Sequence, residues 1–297
     1  MEIRNITVKS SVEEGMQQGN LEVFVQAAGK KEKDHPVFLW AQLADEEGLE
    51  ADRIFPIELE EENSFCMQVN PVRLWNMEQP QMYDLILELR DENNRLLGTS
   101  VKKTAFFLLS GEEDKLCMNG KKITVYPDPE SGRVEELLQK NGTEEKIKEQ
   151  LRRIRCAGRN ALVLPKMYWA ETVVQWCLEY GILLVEKAQE SLVRPDFAIQ
   201  VVEDGALIEN HSIFTDLSEY DLYCEIEQEG TILQKSIVRA EAVPGSSRYL
   251  ELPFIRPSKP GIYCYRVSVC LRKDQPWAKK GSAVAMGEAI ITNLWMG

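Results

Sequence analysis

Histidine is almost missing from this 297-residue chain, which holds only His35 and His211. A zinc site, a serine–histidine–aspartate triad or a cysteine–histidine pair would have to use one of the two. His35 precedes Pro36 in a charged stretch and His211 follows Asn210 ahead of a strand, so both read as surface residues and no metal or cofactor site is expected. No apolar run approaches the roughly 20 residues that span a bilayer, and the opening MEIRNITVKSSVEEG lacks the pattern of a secretory signal. The seven cysteines are odd in number and form no C-x-x-C pair, which predicts reduced, mostly packed thiols and a cytoplasmic location. Acidic residues outnumber basic ones, 48 Asp and Glu against 35 Lys and Arg. The formal net charge is -13, and short basic runs such as Lys30-Lys31 and Lys279-Lys280 do not offset it. An acidic field of this size repels phosphate backbones and anionic headgroups, so neither nucleic acid nor membrane is an expected partner.

What the sequence does hold is alternation. Period-two runs at 21–25, 37–43, 55–59 and 83–90, a polar turn at 91–94 and a further strand over 96–104 predict a β-sandwich over residues 1–107. Residues 108–192 differ. A hairpin turns at Asn119-Gly120, and a helix follows Thr143, with Ile147, Leu151, Ile154 and Ala157 as its inward face and Gly158 as its stop. The apolar runs 160–164 and 182–186 enclose a second helix carrying Val173, Trp176, Cys177 and Tyr180 on one side. Strand, helix and strand with continuous apolar strands predict parallel pairing. Residues 193–297 return to alternation at 220–227, 249–252 and 263–271, which predicts a second sandwich.

The stretch Asn70-Pro71-Val72-Arg73-Leu74-Trp75-Asn76-Met77-Glu78-Gln79-Pro80-Gln81-Met82-Tyr83-Asp84-Leu85 resembles the signature of family 2 glycoside hydrolases, the β-galactosidase group. Pro71, Leu74, Trp75, Glu78, Pro80, Tyr83 and Leu85 stand at matching positions. The hairpin from Leu116 to Lys122 and the run Asp128-Pro129-Glu130-Ser131-Gly132-Arg133 are similar to the entrance of that family's barrel. Residues 206–254 and 276–281 resemble the sandwich that comes after the barrel. The resemblance implies a mainly β chain: two immunoglobulin-like sandwiches (1–107 and 193–297) flanking a small α/β remnant (108–192) of a (β/α)8 barrel.

The same resemblance implies lost chemistry. Retaining glycosidases need two carboxyl groups about 5–5.5 Å apart. The family draws both from later barrel strands, one of them within an Asn-Glu dipeptide, and this sequence contains no such dipeptide. A closed barrel takes at least about 200 residues, far more than the segment 108–192 supplies. The family's "R-x-S-H-Y-P" aligns with Val163 to Tyr168, so its arginine and histidine are gone, and its "D-E-A-N" aligns with Glu186-Lys187-Ala188-Gln189, which swaps a carboxylate for an ammonium. No catalytic, cofactor or metal residue is therefore assigned.

Three readings are compatible with these features. The chain is a non-catalytic relative with a binding or scaffolding role; or it is one subunit of a split glycosidase completed by a partner chain; or it is a sandwich module that binds carbohydrate or protein through aromatics. For the last, Trp75, Trp169, Trp277 and Trp295 are the exposed candidates, although tryptophans in sandwiches are more often core or corner residues. The bare parallel strands need covering, which favours a homodimer.

Overall fold

The computed structural model describes residues 2–29, 35–111, 115–188 and 192–293. Lys30-Lys31, Gln189 and Trp295 lie outside the described residues. The chain is mainly β, with three α-helices among the described residues: α1 (Gly132–Gln139), α2 (Glu144–Cys156) and α3 (Glu171–Glu179). It divides into two compact units, one of residues 1–124 with 169–181, the other of 125–168 with 182–297.

In the first unit, alternating sequence produces two antiparallel sheets that share one core. The strands are β1 (Glu2–Val12), β2 (Gly19–Ala28), β3 (Val37–Asp45), β4 (Glu50–Glu58), β5 (Glu62–Val69), β6 (Tyr83–Asp91) and β7 (Leu96–Thr104). One sheet has the order β1-β2-β5 and the other β4-β3-β6-β7. Leu21, Val23 and Val25 of β2 and Met67 and Val69 of β5 face Leu39, Ala41 and Leu43 of β3 and Leu85, Leu87 and Leu89 of β6. A period of two puts these residues inward and their polar neighbours outward.

The signature segment ties this sandwich to α3 and to a short hairpin near residue 119. Trp75, one of the exposed candidates, is fully buried. Its backbone N–H donates to Phe106 O (2.8 Å), its carbonyl accepts from Asn119 Nδ2 (2.9 Å), and its indole Nε1 donates to Leu178 O (2.9 Å) at the end of α3. The Phe107 ring lies 5.0 Å away. An indole has one polar atom and a large apolar body, so burial demands a partner for the N–H, and the α3 carbonyl supplies it. Tyr83 OH likewise accepts from the Arg73 backbone N–H at 2.8 Å.

Asn119 is the other fixed point. It turns the short hairpin of β9 (Cys117–Met118) and β10 (Lys121–Lys122), which extends β8 (Leu109–Ser110). Asn119 and Gly120 both have positive φ, 50° and 76°, as a two-residue hairpin turn requires.

In the second unit, β11 (Ala161–Val163) and β12 (Leu183–Val185) pair in parallel, and a further parallel bridge joins Pro127 to Ala161. Ile147, Leu151 and Ile154 form the buried stripe of α2. Ala157 departs from expectation. It is the C-cap and is exposed, because Gly158 (φ 72°) already turns the chain away. Thr143 occupies the N-cap, yet its hydroxyl accepts no backbone N–H and bonds the Glu145 carboxylate instead. Helix α1 comes after Pro129, where no helix was expected.

The rest of this unit is a second pair of antiparallel sheets. The first is β13 (Phe197–Val201), β14 (Gly205–Asn210) and β17 (Ser247–Glu251). The second runs in the order β16 (Thr231–Val238), β15 (Tyr220–Gln228), β18 (Gly261–Leu271), β19 (Ala283–Asn293). Phe197, Ala206 and Ile208 meet Leu222, Cys224, Ile226, Tyr263, Val267 and Val269 in its core. The buried Asn210 side chain donates to Thr215 O (2.9 Å) and Ala242 O (2.7 Å), satisfying carbonyls that water cannot reach.

Candidate functional site

Ligands of parallel α/β structures bind beyond the carboxyl ends of the strands. Here that rim is formed by the segments after Pro127, β11 and β12. Backbone bonds from Asp128 N to Ala161 O (3.0 Å) and from Asn160 N to Tyr126 O (3.1 Å) hold the first two segments in register. Ser131, buried at the start of α1, donates its hydroxyl to Asp128 O (2.7 Å) and accepts from Val163 N (3.2 Å). Burial pushes the Asp128 carboxyl above the ordinary aspartate range, against a hydrogen bond from the Glu130 backbone N–H.

The two altered family motifs meet on this rim. Lys166 Nζ lies 3.1 Å from Glu186 Oε2, with the two side chains 68% and 50% exposed. Tyr168 OH accepts from Gln139 Nε2 at 2.9 Å. The carboxylate at Glu186 therefore faces an ammonium. An ion pair this open to water contributes at most about 1 kcal/mol to stability.

The histidines stand apart from this rim in their contacts. His35 Nδ1 is 3.4 Å from Glu92 and its side chain is 70% exposed. His211 contacts Glu209 (3.0 Å) and the Pro195 carbonyl (3.3 Å). Among the described residues no cluster of three His, Cys, Asp or Glu side chains could hold a metal ion. No described helix is long and apolar enough to cross a membrane.

Of the exposed candidates among the tryptophans, Trp75 is buried, with its indole N–H spent on α3. Trp169 and Trp277 are half-buried, and the Arg155 guanidinium lies 4.9 Å from the Trp277 ring centroid. Sequence reasoning passed over Trp40. It lines a groove of about 320 Å³ on the outer face of the β4-β3-β6-β7 sheet, together with Gln42, Arg53, Glu88, Arg90 and Asn94. The signal was present: in the run 37–43, Trp40 and Gln42 occupy the polar phase, opposite Leu39, Ala41 and Leu43.

Sandwich-like antiparallel sheets in each unit define a mainly β chain. Residues 1–106 match the family described as glycosyl hydrolases family 2, and residues 206–292 match β-galactosidase domain 4. Together with the curated relatives, these two matches support a truncated member of glycosyl hydrolase family 2. It is similar to a β-galactosidase of Clostridium acetobutylicum, with 28% identity over 35% of this chain and 12% of that protein. A β-galactosidase of Halalkalibacterium halodurans is 33% identical over 31% of this chain and 10% of its own length. The matches thus span about a tenth of those curated relatives. The apo structure of Bacteroides uniformis β-glucuronidase 3 aligns at 19% identity over 61% of this chain and 22% of that one, with a TM-score of 0.48.

Proposed function

We propose that this chain is a non-catalytic relative of the β-galactosidase-type hydrolases, with a binding or scaffolding role. The observation that carries this reading is the Lys166–Glu186 ion pair at the carboxyl ends of the parallel strands. A pocket built for glycosidic cleavage keeps its carboxylates for the sugar, and retaining cleavage needs two of them about 5–5.5 Å apart. In this reading residues 1–107 and 193–297 are immunoglobulin-like sandwiches and 108–192 is a barrel remnant, supported by the parallel order of Pro127, β11 and β12. A cytoplasmic setting is supported by the seven cysteines, all of them unpaired. Carbohydrate and a second copy of the chain are the proposed partners.

The purified chain is expected to release no nitrophenol above background from nitrophenyl β-galactoside or β-glucuronide. Hydrolysis by the chain alone that Glu186→Gln or Asp128→Asn abolishes overturns the reading. The second reading, a split glycosidase, is favoured by the same parallel strands, which are too few to close a barrel. Activity that appears only when a companion chain is added supports it.

A further inference from the structure

The groove at Trp40 has no role in the proposed function beyond the general one of binding, and its geometry is specific. Strand β3 pairs Leu39 with Ile57 and Ala41 with Ile54, so two residues of β4, Phe55 and Pro56, stand opposite the single residue Trp40. This is a β-bulge, a device that bends a strand and re-aims the side chain facing it. Proline fits there because it has no N–H to give to the ladder. Trp40 is half-buried on the outer face, and the β6 partners opposite Trp40 and Gln42 are Glu88 and Ile86.

Around the indole the polar groups are already fixed. Arg90 donates to Glu88 Oε2 through Nε (2.9 Å) and Nη2 (2.7 Å), and to Asn94 O through Nη1 (3.1 Å). Its guanidinium lies 5.8 Å from the Trp40 ring centroid. Arg53 Nε donates to Glu50 Oε2 at 3.1 Å, and the same oxygen accepts from Gln42 Nε2 at 3.0 Å. Each cation has its own carboxylate, so the two arginines bring no net charge to the groove. Side chains held this way lose little rotamer freedom when a ligand arrives. Fixed planar amides, guanidinium and carboxylate offer paired donors and acceptors, which suit vicinal hydroxyls, while the indole suits the C–H face of a sugar ring. The volume of about 320 Å³ is at the small end of the range for ligand sites, roughly 300–1,000 Å³.

We propose that this groove binds a neutral oligosaccharide, seated on Trp40 and hydrogen-bonded by Gln42, Glu88, Arg90 and Asn94. The proposal rests on the binding role in the proposed function and gives it a place and a ligand class. Charge balance disfavours acidic sugars, and the chain's net charge of -13 acts in the same direction. A protein partner would require an apolar anchor pocket at the centre of its contact, whereas this lining is largely polar.

The test uses the full chain with cellotetraose, xylotetraose and β-1,4-galactotetraose as neutral probes and a heparin tetrasaccharide as the anionic one. Binding is read by calorimetry and by tryptophan fluorescence. At least one neutral probe is expected to bind, with affinity falling about tenfold or more in Trp40→Ala and severalfold in Gln42→Ala. Trp40→Phe should recover part of the loss, which separates stacking from a folding defect, and Trp277→Ala should bind as the parent does. The proposal is overturned if no neutral probe binds at millimolar concentration, if binding survives both Trp40→Ala and Gln42→Ala, if the heparin fragment binds more tightly, or if Trp277→Ala abolishes binding. Hydrolysis of a nitrophenyl glycoside would overturn the non-catalytic reading and leave the groove standing. Failure at the groove leaves the non-catalytic reading intact.

Discussion

Replacing Trp75 tests the claim that the signature segment works as a joint. In Trp75→Phe the ring stays aromatic, while the bond from Nε1 to Leu178 O is lost. That carbonyl keeps a partner in the Gly181 N–H at 3.1 Å, so it is not orphaned. The lost bond costs about 1 kcal/mol net, and the space left by the smaller ring in a fully buried site adds a comparable amount. The sum is about 2 kcal/mol. With a urea slope of about 2 kcal/mol per molar, the midpoint of the first unit falls by about 1 M. Since Nε1 holds the end of α3, amide exchange over 171–181 should accelerate by about thirtyfold while exchange in β2 and β6 changes less. Trp75→Ala adds a large cavity and should cost about 3–5 kcal/mol, enough to unfold much of the population. A midpoint shift below about 0.2 M in Trp75→Phe, with α3 exchange unchanged, refutes the reasoning.

Two further outcomes are expected from the same geometry. Asn119→Ala loses the bonds to Leu108 N (3.0 Å) and Trp75 O (2.9 Å) and forces alanine into φ 50°, for an expected cost of about 2–3 kcal/mol. Asn119→Gly loses the bonds but not the conformation, and should be milder by about 1 kcal/mol in urea melts; equal losses would remove the φ argument. Asp128 supplies a pH dependence. Its folded carboxyl titrates above its unfolded value because burial disfavours the charge, so ionisation penalises the folded state. Asp128→Asn should therefore stabilise above the folded pKa, and the gain should vanish as pH falls below the ordinary aspartate range. A gain that grows on acidification contradicts the burial argument.

Strand alternation made the sandwich elements readable. The runs 83–90 and 96–104 appear as β6 and β7, and the Asn119-Gly120 turn and the Gly158 helix stop carry the positive φ that they announced. Thr143 stands at the N-cap of its helix as expected, whereas Ala157 leaves the inward face because the glycine beside it turns the chain away. Trp75 stood among the exposed candidates for a different reason: its burial depends on α3, a segment about a hundred residues away, and no local pattern reports that contact. The groove was overlooked because a lone tryptophan in the polar phase of a strand looks ordinary until the bulge opposite it is known.

Pro56 has one more effect, on how copies of this protein meet. It lies in β4, the outermost strand of its sheet, where a flat run of unpaired amides would template another chain. A residue without an amide hydrogen, set in a kink, breaks that template midway. A proline in an edge strand disfavours strand-to-strand growth along this border.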